Sequence, residues 1–187
     1  MIKLLVGLGN PGRQYEKTRH NVGFLFLDKV FASYGSAWNV ESKFQGIMAE
    51  CSVADNKLLL LKPQTFMNRS GLSVGQVLRY FKLSIDQVLV IHDELDLSVG
   101  VSRLKKGGGH AGHNGLRDII QHLGSNDFYR MRIGIGRPAS GISVADYVLS
   151  APMKEDMDML NGVLDEVLSY LPQIVAGDIS VVMNKLN

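Results

Sequence analysis

Two kinds of apolar spacing alternate along this chain, and together they restrict it to a sheet covered by helices. The runs Ile2 to Leu8, Leu58 to Leu61 and Val88 to Ile91 are short and continuously apolar, the pattern of buried strands. Between them stand segments with helical periodicity. Val22 to Tyr34 puts Val22, Phe26, Val30 and Phe31 on one face, and Val74, Val77, Leu78 and Phe81 repeat at i, i+3, i+4 and i+7. Leu116, Ile119, Ile120 and Leu123 mark a third helix. Met157, Leu160, Leu164, Leu168 and Leu171 mark a long one that Pro172 is expected to end or kink. Phe44 to Val53 reads as a strand joined to Leu58–Leu61 around Asp55-Asn56, with further strands at Val101–Lys105 and Met131–Ile135. Helices alternating with strands predict an α/β fold: a single three-layer α/β/α domain over residues 1–187, around a mixed, mainly parallel twisted sheet.

Composition narrows the class. With 45% hydrophobic and 20% charged residues the chain is not disordered. Its one cysteine, Cys51, cannot form an internal disulfide, which suits a reducing, cytoplasmic setting. Apolar runs such as Val88 to Ile91 stop at four residues, so no membrane association is expected, and Met1 to Gly12 reads as a strand and turn and not as a signal peptide. Nothing demands more than a monomer. The net charge of +2 is unevenly spread: Gly100 to Arg137 carries seven Lys and Arg against two Asp, a net of +5, while Lys154 to Asn187 carries −4. A basic face of this kind suits a polyanionic partner, or is simply solvated.

Three motifs invite other readings. Gly7-Leu8-Gly9-Asn10-Pro11-Gly12 matches a dinucleotide fingerprint, but the helix that should open at once is delayed by the polar stretch Arg13 to Asn21, and Asp28 falls inside that helix. A tight turn is the simpler reading. Gly71-Leu72-Ser73-Val74-Gly75 has the form of a nucleophile elbow, with Asp93 and His110 or His113 following in hydrolase order. No strand runs directly into it, so Gly71 and Gly75 read as close-packing residues and a serine hydrolase is the alternative enzyme. His110-Ala111-Gly112-His113, with His92 and Asp93, could suggest a metal, yet it lacks the helical spacing that puts two histidines on one face. No metal and no cofactor are expected.

What remains is His20 in the polar stretch Thr18-Arg19-His20-Asn21, Asp93 at the end of a buried strand, and asparagines at the turns: Asn10, Asn68 and Asn114. A histidine held by a carboxylate can deprotonate water, and uncharged amide donors can hold the resulting oxyanion. From spacing alone the plainer readings stay open: His20 as a surface residue, Asp93 as a turn former, the asparagines as helix caps.

Five blocks in order, from about Ile2 to Leu149, resemble the bacterial-type peptidyl-tRNA hydrolases. They are Gly7–Gly12 with Tyr15; Thr18-Arg19-His20-Asn21-Val22-Gly23; Lys62-Pro63-Gln64-Thr65-Phe66-Met67-Asn68-Arg69-Ser70-Gly71; His92-Asp93-Glu94-Leu95-Asp96-Leu97; and Gly107–Gly115. Arg132-Ile133-Gly134-Ile135-Gly136-Arg137-Pro138 is similar too, and Ala111 departs where a glycine is often found. The resemblance implies an esterase that frees tRNA from prematurely released peptides. It puts the base on His20, its carboxylate partner on Asp93, and the distinction between blocked and free aminoacyl ends on Asn10. Tyr15, Phe66, Asn68 and Asn114 match positions that contact the tRNA end or the peptide. Lys105 and Arg132, in the +5 segment, are the choices for the phosphate at the acceptor end. The partner implied is peptidyl-tRNA, gripped at its acceptor end and 5′ phosphate region. Gly107–Gly115 and the helix from Lys154 are expected to wall the cleft. A non-catalytic RNA-binding module is the alternative outside enzymes.

Overall fold

Each of the three apolar runs becomes a strand at the centre of one seven-stranded sheet. The computed structural model describes residues 1–35 and 37–187. Strand β1 (Leu4–Gly7) lies between β4 (Asn56–Pro63) and β5 (Val88–Glu94), and β5 pairs with β7 (Tyr129–Gly134), all in parallel. At the margins β3 (Gly46–Val53) joins β4, β2 (Asn39–Glu41) joins β3, and β6 (Ser102–Lys106) joins β7, all antiparallel. The order β2-β3-β4-β1-β5-β7-β6 is thus the expected mixed sheet, with its parallel pairing in the middle.

The helices form two layers. Leu5, Leu89, Ile91, Met131 and Ile133 face a core built with α1 (Val22–Tyr34), α5 (Lys154–Ala176) and α6 (Ile179–Leu186). Leu4, Val6, Val88 and Val90 face the opposite core, built with α2 (Ser70–Phe81) and α3 (Asn114–Leu123). The period-two alternation along β1 and β5 divides their apolar residues between these cores. A short helix, α4 (Val144–Val148), precedes α5. Strand β2 and helices α4 and α6 were not anticipated. Helix α5 does not end at Pro172: it continues to Ala176, because Leu171, Ile174 and Val175 bury their side chains on either side of the break. The proline sits half-buried, and the hydrogen bond it forfeits to Leu168 is outweighed by that packing.

One close approach sets the geometry of the strand tips. A Cβ at Gly23 would lie 2.3 Å from Leu8 N and 2.5 Å from Ile91 O, and one at Gly7 would lie 2.3 Å from Gly23 O. The first turn of α1 therefore rests on backbone at the ends of β1 and β5. This is the work of the first glycine in Gly7-Leu8-Gly9. The chain enters α1 through two 3₁₀ turns, Arg13–Tyr15 and Arg19–Asn21, and Asp28 is ion-paired to Lys62, so the dinucleotide reading has no structural counterpart. At the far margin, the Asn187 side chain accepts from Leu104 N at 3.1 Å and donates to Leu104 O at 2.8 Å along the outer edge of β6.

Gly23→Ala should lower stability by about 1–3 kcal/mol, because the added methyl group meets backbone that can yield only by moving helix and strand apart. Urea denaturation checks this: the midpoint should fall with the slope unchanged.

Candidate active site

Asp93 ends the buried apolar stretch of β5 and is itself only 4% exposed. Two imidazoles satisfy its carboxylate. His20 Nδ1 lies 2.9 Å from both oxygens, and His113 Nε2 lies 2.9 Å from Oδ1. A carboxylate only accepts, so both nitrogens donate. The tautomer of His113 is fixed a second time, because its Nδ1 accepts from Gly115 N at 3.2 Å and Leu116 N at 3.3 Å as the N-cap of α3. With His20 Nδ1 donating, its Nε2 keeps a free lone pair. Burial of His20 works against its charge, but the charge and hydrogen bond of Asp93 outweigh this and raise its pKa above 6.5. For Asp93 burial pulls upward, and the two imidazoles override it, holding the carboxyl well below its usual 3.8.

Along β5 the side chains alternate. His92 points away from Asp93, fully buried, and donates Nδ1–H to Asp93 O at 2.7 Å. Burial, and then the neighbouring His113, push its pKa down to about 3, so it stays neutral. Glu94 accepts from Arg132 Nε at 2.9 Å and from Asp96 N at 3.0 Å.

Asn10 is held on three sides. Its N–H donates to Asn21 Oδ1 at 2.9 Å, its C=O accepts from Asn21 Nδ2 at 2.9 Å, and its Oδ1 accepts from Met67 N at 2.7 Å. A backbone N–H can only donate, so the orientation of the Asn10 amide is settled by chemistry. Its Nδ2 is the one group without a partner among the described residues. Met67 in turn brings its neighbours Phe66 and Asn68, both exposed, beside Asn10, and its sulfur packs where a Cβ on Gly115 would stand.

A cleft of about 360 Å³ opens over the pair. Its lining includes His20, Asp93 and Asn114. One wall is His110–Asn114, as expected, but the other is Val144, Ala145 and Val148 of α4, not the helix from Lys154. Arg19 fixes that wall: Nη1 donates to Ser150 Oγ at 2.7 Å and to the carbonyls of Tyr147, Ser150 and Ala151, while the guanidinium lies 4.1 Å over the Tyr147 ring. Asn10 lies outside this cleft, in a neighbouring hollow of about 380 Å³ that Asn21 also lines. Tyr15, Phe66 and Asn68 likewise do not line the cleft. None of Asn10, Asn68 and Asn114 caps a helix; the cap of α3 is His113, which the sequence sets beside Asp93 only in the serine-hydrolase and metal readings. Its signal was the position immediately before a helix, occupied by a side chain that can accept.

The basic residues divide by role. Arg103 pairs across the strands with Arg132, and Lys105 with Arg130, so all four share the α3 side of the sheet. Arg103 turns back to Leu186 O. Arg130 is buried, its terminal nitrogens on Gly108 O and Gly109 O at 2.6 Å, where it holds the glycine loop. Lys105, partly buried, makes no ion pair among the described residues, and burial, then Arg132 and Arg130, lower its pKa. Among the described residues Arg132 uses only Nε, on Glu94.

Two other readings lose their footing. Ser73 is fully buried inside α2 with its hydroxyl unpartnered, and Gly71 packs α2 against α3, where a Cβ would meet Asp118 O at 2.2 Å. Gly75 has no such contact, only the Arg79 side chain. His20, Asp93 and His113 offer ligand atoms within 4.8 Å of one another. A metal on His113 Nε2 would require a proton on Nδ1, facing two amide N–H donors, so this set does not suit an ion.

The chain from residue 4 to 187 matches the family model for peptidyl-tRNA hydrolase. Among curated relatives of that name, one from Methylococcus capsulatus is 49% identical over 187 residues, covering all of both chains. One from Dichelobacter nodosus is 55% identical over 170 residues, 91% of this chain and 88% of the relative. The crystal structure of peptidyl-tRNA hydrolase from Acinetobacter baumannii superposes with a TM-score of 0.96 at 42% identity, covering 100% of this chain and 94% of that one. With sequence and structure in agreement over its whole length, the chain belongs to the peptidyl-tRNA hydrolase family.

Proposed function

We propose that this chain hydrolyses the ester joining a peptide, or an N-blocked amino acid, to the 3′ end of tRNA, with water activated by His20. The observation that carries the reading is the buried Asp93 carboxylate, which accepts the His20 Nδ1–H hydrogen bond at 2.9 Å and leaves Nε2 as the free base at the cleft. Nε2 accepts a proton from water as the water oxygen bonds to the ester carbonyl carbon. Asp93 stabilises the imidazolium, and amide donors hold the oxyanion. On collapse the ester C–O bond breaks, the ribose oxygen takes the proton from His20, and peptide acid and tRNA leave. A non-catalytic RNA module would have no use for a desolvated carboxylate pinned between two imidazoles.

Asn10 supports the preference for blocked ends. With Oδ1 directed at Met67 N, the group it leaves for substrate is the Nδ2–H donor. A blocked amino group brings a carbonyl to accept it. A free α-amine, largely protonated below about 7.7–8.0, brings only donors and a charge. Asn68 and Asn114, both exposed, can bond peptide backbone without reading side chains. Phe66, 57% exposed, and the half-buried Tyr15 offer flat faces to the terminal adenosine, worth about 1–3 kcal/mol per base. On the basic face Lys105 makes no ion pair among the described residues, and Arg132, though held by Glu94 through Nε, has no hydrogen bond among them at its terminal nitrogens, which supports their contact with the acceptor-end phosphate. In this reading residues 1–187 act as one domain built on one continuous sheet, a monomer in the cytoplasm. No helix among the described residues is long and apolar enough to cross a membrane.

His20→Ala should cut kcat by about 10²–10⁴ with tRNA binding retained, read by single-turnover hydrolysis and filter binding. The pH profile gives an independent check. Because the pKa of His20 is raised, its stabilising interaction is complete below 6.5 and fades as pH climbs through the folded value, while activity rises over that same range. The acid limb of kcat/KM should therefore lie above pH 6.5. Asp93→Asn should lower kcat and move that limb to lower pH, since burial then dominates; an unmoved limb would exclude the pairing. Replacing Lys105 and Arg132 by alanine should raise KM for tRNA substrates and flatten the salt dependence by about 0.7–0.9 in log–log slope per contact. A blocked amino acid on a short 3′ fragment should be hydrolysed as before.

A further inference from the structure

We propose that Asn21 is the positioning residue that sets the polarity of Asn10, and through it the choice between blocked and free aminoacyl ends. The proposal rests on the reading of Asn10 given above.

Asn21 occupies the N-cap position of α1, where an asparagine side chain ordinarily accepts from the open amides of the first turn. Here it makes no capping hydrogen bond. Its amide instead spans the Asn10 backbone, accepting from N–H and donating to C=O, both at 2.9 Å, as a strand partner would. The side chain is 1% exposed, and both amides on which it acts are buried. The chain has given up a local helix cap to hold a residue eleven positions back.

That backbone needs an external hold. Asn10 lies beyond the last hydrogen-bonded residue of β1, and Pro11 after it has no N–H to donate. Gly12 then turns away at φ 114°. Asn21 thus ties down a loop that the sheet no longer holds, and Met67 N can meet Oδ1 at 2.7 Å only while that loop is in place. Release of the bracket would let the Asn10 amide turn over and present its oxygen to the substrate. An oxygen there would accept from an α-ammonium and repel a blocked carbonyl, the reverse of the required preference. The position of Asn21 adds a second link. It follows His20 in the 3₁₀ turn Arg19–Asn21, so one turn of backbone fixes both the base and the amide that reads the substrate's nitrogen.

The test compares kcat/KM for N-acetylaminoacyl-tRNA and for the same aminoacyl-tRNA unblocked, in Asn21→Ala and in Asn21→Asp. The aspartate keeps the size and the acceptor but, assayed at a pH where it is ionised, cannot donate to Asn10 O. Both variants should lower the blocked-to-free ratio by roughly tenfold, the factor carried by about one transition-state hydrogen bond, and Asn21→Ala, which brings no charge beside His20, should leave the acid limb of the pH profile in place. In an Asn10→Ala background, Asn21→Ala should lower the ratio no further, because it acts through Asn10. Equal loss on both substrates, or an additive loss in the double variant, would overturn the proposal and leave Asn21 a purely structural residue. If Asn10→Ala itself leaves the ratio intact, the reading of Asn10 fails. If Asn10→Ala collapses the ratio while both Asn21 variants preserve it, only the role of Asn21 fails. Should Asn21→Ala not fold, the near-isosteric aspartate decides alone.

Discussion

The architecture around the site depends on satisfying one buried carboxylate. Asp93 stands where β5 runs out of sheet, and an ion so far from water must be hydrogen-bonded and balanced by charge. The two donors come from opposite layers of the fold: His20 from the turn entering α1, His113 from the turn entering α3. Each imidazole is fixed in tautomer by the partnership. The close contact of Gly23 with Leu8 and Ile91 brings the first turn near enough to reach, and the helix cap formed by His113 aligns the second. A carboxylate with two donors also holds the α1 and α3 entries at a fixed separation.

Elsewhere the same economy of polar groups recurs. His20 engages Nδ1 and keeps Nε2 open. Asn10 engages its backbone and Oδ1 and keeps Nδ2. Arg132 engages Nε and keeps the two terminal nitrogens whose fork suits a phosphate. In each case the bonds to the protein remove rotational freedom before substrate arrives, and the remaining atom has a single hydrogen-bonding character. This is pre-organisation at the level of individual atoms.

Much of the fold was legible because long elements carry their own period. Val22–Tyr34 is the helix that its apolar face foretold, and the strand centred on Val88–Ile91 gains only the polar residues His92 to Glu94. The failures have particular causes. Helix α4 has five residues and β2 three, too few to show a period, whereas α6 shows only a short one, in Ile179, Val182 and Leu186. At Pro172 the local rule that a proline ends a helix yields to the tertiary packing of Leu171, Ile174 and Val175. In the site, residue types and loop positions pointed to His20 and Asp93, but the family resemblance was needed to raise them above the plainer readings. His113 and Asn21 stayed hidden because their roles depend on contacts across 20 and 11 positions of chain, which no local spacing records.

The asparagine at residue 187 repeats the bracket of Asn21 at the far margin of the sheet. There its amide occupies the N–H and C=O that Leu104 turns outward from β6. An open strand edge is a template on which a second polypeptide can be added, the first step toward edge-to-edge polymers. With that rung filled, an incoming chain must evict a tethered side chain before it gains its first hydrogen bond. At the opposite margin β2 is only three residues long, too short to seed a new ladder. Resistance to self-assembly at this edge therefore draws on the Asn187 amide, beside Arg103 Nη1 on Ser102 O, and a variant without that amide is left with an open rung at high concentration even where its folding and chemistry are intact.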